Sequence, residues 1–370
     1  MSTRSIQTEP EVTTAAPPST FSIVVRVLGG AVFVCPCAVT PYFFNLYMPQ
    51  FKQNIPLSKF SHYKIGGPAR LFFEAKSEKE VLWAIKEAKK LKVPVFVLGG
   101  GTNLLISDDG FDGLVLRLAM RDIKVKGTTV TVGAGASMAD VLKSAVARSL
   151  AGLEWAGGLP GTVGGAVRGN AGCFGGEIKD SIAAVRSVDM KTGKIVTLTA
   201  RACAFAYRHS IFKKKNGAEI ILSVTLALKK GNKKEIATVI KERIAYRNEH
   251  HPMEHPNIGS IFKNVPVLAV HKKGSIKYKK ALRELSLALC GSRFSVKTDP
   301  FPVISAAKLI SESGLRGVSA GGAMISPKHP NFIVNVLGAQ SPDVMNLIVL
   351  AKAEVRKKFG IPLEEEIQLL

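Results

Sequence analysis

Apolar and polar positions along this chain change period repeatedly between about residues 55 and 230, alternating strand-like and helix-like blocks. Residues 69–74 read as a strand. Residues 78–91 read as an amphipathic helix with Leu82, Ile85 and Ala88 facing inward, and the apolar run 93–98 reads as a buried strand. Short strands are predicted at 114–118, 123–126 and 129–132, followed by a helix at 138–148. The turn Lys191-Thr192-Gly193 makes 182–189 and 195–199 a hairpin, and a further strand covers 219–228. A lysine-rich shift at 229–234 marks a domain boundary, with a basic amphipathic helix over 235–248 opening the next domain. The chain closes with a helix at 342–359 and a strand at 366–370, which so short a tail leaves frayed. Interleaved α and β elements over 370 residues predict two or three domains with real cores.

The first 47 residues break this pattern. Residues 1 to about 20 are polar, rich in Ser, Thr and Pro, and read as disordered. Residues 21–44 are apolar, but Arg26, two glycines and two prolines make a poor spanning helix. A signal peptide would want more positive charge in front and a clear small-residue cleavage site behind. Translation starting at Met48 is the reading preferred over a membrane anchor.

Composition narrows the chemistry only modestly. A formal net charge of +23 suits nucleic acid, an anionic surface, or ligands that carry phosphates. Basic residues lie along helices and cluster at 213–215 and 272–280 without interleaved aromatic residues, so they read as solvated faces and no nucleic-acid partner is expected. The cysteines (Cys35, Cys37, Cys173, Cys203 and Cys290) contain no Cys-x-x-Cys pair; no disulfide framework or zinc site is suggested, and a reducing compartment fits. His251-Pro252-Met253-Glu254-His255 matches a zinc-protease pattern, but that chemistry needs a helix and Pro252 and Pro256 disfavour one, so no metal is expected.

Two glycine-rich segments carry more. Gly99-Gly100-Gly101-Thr102-Asn103 follows the apolar run 93–98, and Gly157-Gly158-Leu159-Pro160-Gly161-Thr162-Val163-Gly164-Gly165 follows the helix at 138–148. Missing Cβ atoms allow positive φ and bring backbone N–H groups close to a ligand. Leu104 stands where the Rossmann fingerprint wants its third glycine, and no Walker Lys-Ser or Lys-Thr follows either loop. The pair points to a dinucleotide diphosphate, against the plainer alternative of two tight turns.

Six blocks in order then fit one pattern. They are Lys64-Ile65-Gly66-Gly67-Pro68-Ala69, Leu98-Gly99-Gly100-Gly101-Thr102-Asn103-Leu104-Leu105, Leu159 to Ala166, Tyr207-Arg208-His209-Ser210, Gly259-Ser260-Ile261-Phe262-Lys263-Asn264 and Leu363-Glu364-Glu365-Glu366-Ile367. With them, from about residue 55 to the C-terminus, the chain resembles the UDP-N-acetylenolpyruvoylglucosamine reductase (MurB) family. It is nearer the compact type, since 205–228 leaves no room for an extra substrate loop.

The resemblance implies an α+β fold, with a two-part FAD-binding domain of the vanillyl-alcohol-oxidase (PCMH) type over 48–230, subdomains about 55–118 and 119–230, and a substrate-binding α+β domain over 231–370. It implies FAD held by Leu98, Gly99, Gly100, Gly101, Thr102, Asn103 and Leu104, by Pro160, Gly161, Thr162, Val163, Gly164 and Gly165, and by Asn170, Ala171 and Gly172. Thr102, Asn103 and Asn170 are expected to supplement the phosphate contacts. NADPH would reduce the flavin, which would then give hydride to the enolpyruvyl methylene carbon. Arg208 would hold the substrate carboxylate and stabilise the enediolate, Glu366 would share that charge as a protonated acid, and Ser260 would protonate the α-carbon. Tyr207, Lys263 and Asn264 would line the substrate's carboxylate, diphosphate or sugar. Cys173 is read as a packing residue. A cytoplasmic enzyme of peptidoglycan precursor synthesis follows, its partners a UDP-sugar and NADPH. Another flavin oxidoreductase on the same cofactor domain, or a basic non-enzymatic binding protein, stays open as an alternative. The basic stretch 265–302, with a stripe at Leu282, Leu285 and Leu289, is longer than the family link and is either a lid over the substrate mouth or a surface insertion.

Overall fold

The computed structural model describes residues 50–214, 218–266 and 303–370. The expectations for 1–47 and for the basic stretch beyond Pro266 lie outside the described residues.

The first sheet has four strands: β1 (Lys52–Pro56), β2 (Pro68–Ala75), β3 (Val95–Leu98) and, beyond the short strand β4 (Leu104–Leu105), β5 (Phe111–Leu118). Their spatial order is β1-β2-β5-β3, with β2, β5 and β3 parallel and β1 antiparallel to β2. Helix α1 (Glu78–Lys90) connects β2 to β3 and starts where Ser77 Oγ accepts the Glu80 N–H. Its buried face is Val81, Ala84, Ile85 and Ala88. Leu82, expected inward, is half-buried, because the i, i+3, i+4, i+7 stripe starts one residue earlier. The run 93–98 also differs from expectation. Lys92 at φ 54 and Pro94 delay the strand to Val95, and as the sheet's edge it buries only Leu98.

The second sheet is antiparallel and five-stranded. It comprises β6 (Ile123–Lys126), β7 (Thr129–Gly133), β8 (Ile182–Asp189), β9 (Ile195–Thr199) and β10 (Glu219–Ala227), in the order β9-β8-β10-β7-β6. Helices α2 (Met138–Ala147) and α3 (Val163–Gly169) add Met138, Val141, Leu142, Val163 and Val167 to a core shared with Val132, Val185, Val188, Leu222 and Val224. Each such side chain contributes roughly 1.5–3 kcal/mol by leaving water.

After the four-residue helix α4 (Ile211–Lys214) and β10 comes α5 (Lys233–His250), begun by Asn232 Oδ1 accepting from the Lys234 and Glu235 N–H groups. It buries only Ile236, so the amphipathic expectation fails here. Ile236, Ile240 and Ile244 form too narrow a stripe for a core face. The helix instead grips the second glycine segment, where Arg247 Nε donates to the Gly157 carbonyl at 2.9 Å. A Cβ on Gly157 would meet the Ile240 carbonyl oxygen at 2.8 Å. The His251–His255 motif forms turns, with the His251 ring 5.0 Å from Phe332 and 5.3 Å from His329.

The C-terminal core packs α6 (Ala306–Glu312) and α7 (Ser341–Phe359) on a meander of β11 (Ser319–Ala320), β12 (Ala323–Ile325) and β13 (Ile333–Asn335). Tyr63, from the segment before β2, is buried in this core and donates through its hydroxyl to the Ile333 carbonyl at 2.7 Å. The last strand, β14 (Gln368–Leu369), pairs parallel with β4. It is not frayed: Leu370 N–H donates to Leu105 at 3.0 Å and its carbonyl accepts from Ser107 N–H at 2.6 Å. Among the described residues no helix is long and apolar enough to cross a membrane.

Candidate active site

The two glycine segments, far apart in sequence, touch in space. A Cβ on Gly100 would lie 2.8 Å from Gly161 Cα, and one on Gly161, at φ 106, would lie 2.8 Å from Thr102 Oγ1. Gly101 sits at φ 64 with its missing Cβ 2.0 Å from the Phe60 carbonyl oxygen, a site closed to any side chain. Among the described residues, the N–H groups of 99–103 donate to no other residue. They form a row of free donors in a cradle that Cβ atoms would fill, which fits a diphosphate.

The second segment is more committed. Val163 and Gly164 donate to the Ala136 and Ala134 carbonyls, both at 2.9 Å, and Gly165 donates to Thr162 Oγ1. Gly161 and Thr162 keep their N–H groups free among the described residues. The Asn170 side chain, expected to supplement the phosphate contacts, is engaged within the protein. The residue is fully buried at φ 45, its Nδ2 donates to the Ala206 carbonyl at 2.9 Å, and its Oδ1 accepts from Lys179 N–H. Its role is to fix the end of α3 against the Ala206–His209 turn. Ala171 closes the same corner by accepting from Ile178 N–H.

That turn carries Arg208. Ala206 and His209 exchange two backbone hydrogen bonds, and Arg208 between them is left-handed at φ 53. Its Nη2 donates to the Gly172 carbonyl at 2.9 Å, its guanidinium carbon stands 5.0 Å from the Tyr207 ring centroid, and its Nε lies 2.6 Å from Glu366 Oε1. This last contact is a close ion pair between the guanidinium and the Glu366 carboxylate. Burial works against the guanidinium's charge, but Glu366 and Tyr207 outweigh it and hold its pKa above the ordinary arginine value.

Glu366 is placed from two sides. Its N–H donates to the Ile261 carbonyl at 2.8 Å, and its carbonyl accepts from Asn103 Nδ2 at 3.2 Å. Ser260, half-buried, follows Gly259 at φ 82 and leads the segment Ile261–Lys263, which bridges the C-terminal segment at Phe262 and Glu365. Asn331 holds that segment with both side-chain groups: Oδ1 accepts from Phe262 N–H at 2.9 Å and Nδ2 donates to the Phe262 carbonyl at 2.8 Å. The fold thus brings the first glycine loop, the Arg208 turn, the Ser260 segment and the C-terminal acid to one place.

Beside them a cavity of about 580 Å³ is lined by Tyr207, Lys263, Asn264, Lys352, Glu364 and Glu365, among others. Both lysines rest on carboxylates, Lys263 on Glu364 at 2.5 Å and Lys352 on Glu365 at 2.8 Å. Asn264 Oδ1 accepts from Ala306 N–H at 3.1 Å and so caps α6, and the Asn264 backbone hydrogen-bonds the Tyr207 hydroxyl. Burial raises the Tyr207 pKa above its usual range, partly countered by Arg208.

Three residues in or beside the site escaped the sequence reading: Lys352, Asn331 and Lys213, whose Nζ donates to the Arg208 carbonyl. Lys352 faces the cavity from α7, Asn331 follows a proline turn, and Lys213 sits in a lysine run that reads as solvated surface. Only the alternation of Lys213 with buried Phe212 hinted at a half-buried position. Cys173 is packed, its Sγ 2.9 Å from Arg247 Nη2 and 3.1 Å from the Trp155 carbonyl oxygen. Burial raises its thiol pKa despite the nearby arginines.

Residues 69–199 match the family model of an FAD binding domain, and residues 251–370 match that of the UDP-N-acetylenolpyruvoylglucosamine reductase C-terminal domain. The chain is 35% identical over 318 residues to the UDP-N-acetylenolpyruvoylglucosamine reductase of Caldanaerobacter subterraneus, covering 86% of this chain and 92% of that one. It is 36% identical over 320 residues to the enzyme of the same name from Listeria monocytogenes, covering 86% and 94%. The crystal structure of the Thermus caldophilus UDP-N-acetylenolpyruvylglucosamine reductase superposes with a TM-score of 0.66 at 30% identity, over 86% of this chain and 98% of that one.

Proposed function

The chain belongs to the UDP-N-acetylenolpyruvoylglucosamine reductase family, and from that premise we propose which of its residues carry the reaction. It is an FAD-dependent oxidoreductase that reduces UDP-N-acetylenolpyruvoylglucosamine in peptidoglycan synthesis, with NADPH as hydride donor. Bound FAD would supply the hydride-transfer chemistry that links NADPH oxidation to reduction of the enolpyruvyl group. The free N–H groups of 99–103, with those of Gly161 and Thr162, would hold its diphosphate.

Arg208 binds the substrate carboxylate. The carboxylate of Glu366 now occupies its Nε, and a substrate carboxylate entering beside it would put two like charges on one guanidinium. Glu366 then takes a proton from solvent as the substrate enters and donates a hydrogen bond to the enediolate, while Arg208 stabilises the negative charge that hydride addition leaves there. Ser260 gives its proton to the α-carbon, a transfer a hydroxyl can make because the enediolate is strongly basic. Lys263 leaves Glu364 for the substrate diphosphate, with Tyr207 and Asn264 bounding the cavity that takes the nucleotide sugar. A cytoplasmic site of action fits the supply of NADPH and nucleotide sugar.

The observation that carries this assignment is the 2.6 Å Arg208–Glu366 pair. In Arg208→Lys, which loses the planar fork, FAD should stay bound and NADPH should still bleach it, whereas reoxidation by substrate should slow roughly a hundredfold or more. Unchanged reoxidation would remove Arg208 from the reaction.

A further inference from the structure

Arg208 holds its working position in a backbone conformation that a residue with a side chain rarely adopts, at φ 53. Such a conformation persists only where its surroundings over-determine it. One restraint is the Ala206–His209 backbone pair, a second is the bond from Nη2 to Gly172, and the third comes from Lys213, whose Nζ donates to the Arg208 carbonyl at 3.2 Å.

Lys213 is itself well placed to do this. It lies on α4, which directly follows the buried residue Ser210. The Ser210 hydroxyl donates to the Arg168 carbonyl at 2.6 Å and accepts from Lys213 N–H at 3.4 Å, so the helix that carries the ammonium is anchored to the end of α3. We propose that Lys213 is a positioning residue of the reductase site, its ammonium holding the Arg208 turn so that the guanidinium meets Glu366 and the incoming substrate carboxylate. The inference rests on the role assigned to Arg208 above.

The charges around Lys213 support a role that depends on its own charge. Arg168 from α3 and Lys263 from the Ser260 segment face it as cations, and Glu364 and Glu366 face it as carboxylates. Burial first, and then the two cations, lower its pKa below the usual lysine value, while the carboxylates oppose that shift. Its folded pKa being depressed, the charge is present at neutral pH and is lost as pH rises, earlier than for an ordinary lysine. An ammonium is a stronger donor to a carbonyl than a neutral amine, so the hold on Arg208 weakens on that same alkaline limb.

The test compares wild type, Lys213→Gln, Lys213→Arg and Arg208→Lys as holoenzymes, following flavin bleaching by NADPH and its return with the enolpyruvyl substrate from pH 7 to 10. In Lys213→Gln, flavin content and bleaching should match wild type, and maximal reoxidation should fall roughly ten- to hundredfold, the worth of one charge-assisted hydrogen bond. Lys213→Arg should restore most of the rate and move the alkaline decline to higher pH. The proposal is overturned by a raised KM with the maximal rate intact, which makes Lys213 a substrate-binding group; by loss of flavin with both half-reactions, which makes it structural; or by an alkaline limb that Lys213→Arg leaves in place. If Arg208→Lys itself reoxidises normally, the Arg208 assignment fails first; if it is slow while Lys213→Gln is normal, only the Lys213 proposal fails.

Discussion

Asn103 Nδ2 donates to the Glu366 carbonyl oxygen at 3.2 Å, and Gln368 N–H donates in return to the Asn103 carbonyl at 3.0 Å. A residue of the first glycine loop is therefore bonded directly to the residue that meets Arg208. Asn103→Ala should slow reoxidation by substrate and weaken FAD retention together, each about fivefold for one hydrogen bond near 1 kcal/mol. Flavin titration of the apoprotein and single-turnover reoxidation measure the two effects. A change in one without the other would uncouple the loop from the acid.

Glycines in and near the site differ sharply in what they tolerate. Gly101→Ala places a Cβ 2.0 Å from the Phe60 carbonyl oxygen at φ 64, whereas Gly259→Ala, at φ 82, finds nothing within 4 Å. The second variant should cost only the left-handed backbone penalty of about 1–2 kcal/mol. The first must also move backbone, so it should purify with little flavin and show the lower urea midpoint of the two.

Glu366→Gln keeps the shape of the side chain and removes its charge. With the ion pair to Arg208 gone, bleaching by NADPH should be unaffected, while reoxidation should slow roughly a hundredfold because the amide shares the enediolate charge less well than an acid. Stopped-flow absorbance at the flavin band reads both steps.

His251 links stability to pH. Burial, and then His329, Arg247 and other cations, push its pKa down to about 4. The unfolded chain, with an ordinary histidine, binds a proton near pH 6.5 that the folded state refuses until about pH 4. Stability contributed by neutral His251 is thus complete above pH 6.5 and is lost as pH falls through that window. His251→Phe, keeping an aromatic ring against Phe332, should lose less stability between pH 7 and pH 5 than wild type, as urea titrations at the two pH values show.

Much of the fold was legible because its elements announce themselves locally. The β8–β9 hairpin follows from a Lys-Thr-Gly turn between alternating runs, and α1 from a serine cap and an apolar stripe. What stayed hidden was set by tertiary partners. Nothing local says that α5 spends its face on Gly157 and not on a core, or that a chain ending at Leu370 is secured by Leu105 and Ser107. In the site, motif order was enough to nominate Arg208, Ser260 and Glu366. It did not show that the Asn170 amide is engaged by Ala206 and Lys179, and it missed Lys213, whose neighbours come from three distant segments.

The central claim is that the Arg208, Glu366 and Ser260 constellation serves the substrate half of the reaction and not the cofactor half. The direct measurement is an anaerobic one on Ser260→Ala beside wild type, adding NADPH and then UDP-N-acetylenolpyruvoylglucosamine while recording the flavin band. Both proteins should bleach at the same rate; wild type should regain its band, and the variant should regain it roughly a hundred- to ten-thousandfold more slowly. Reoxidation at the wild-type rate in the variant, or a loss of bleaching alongside it, would contradict the assignment.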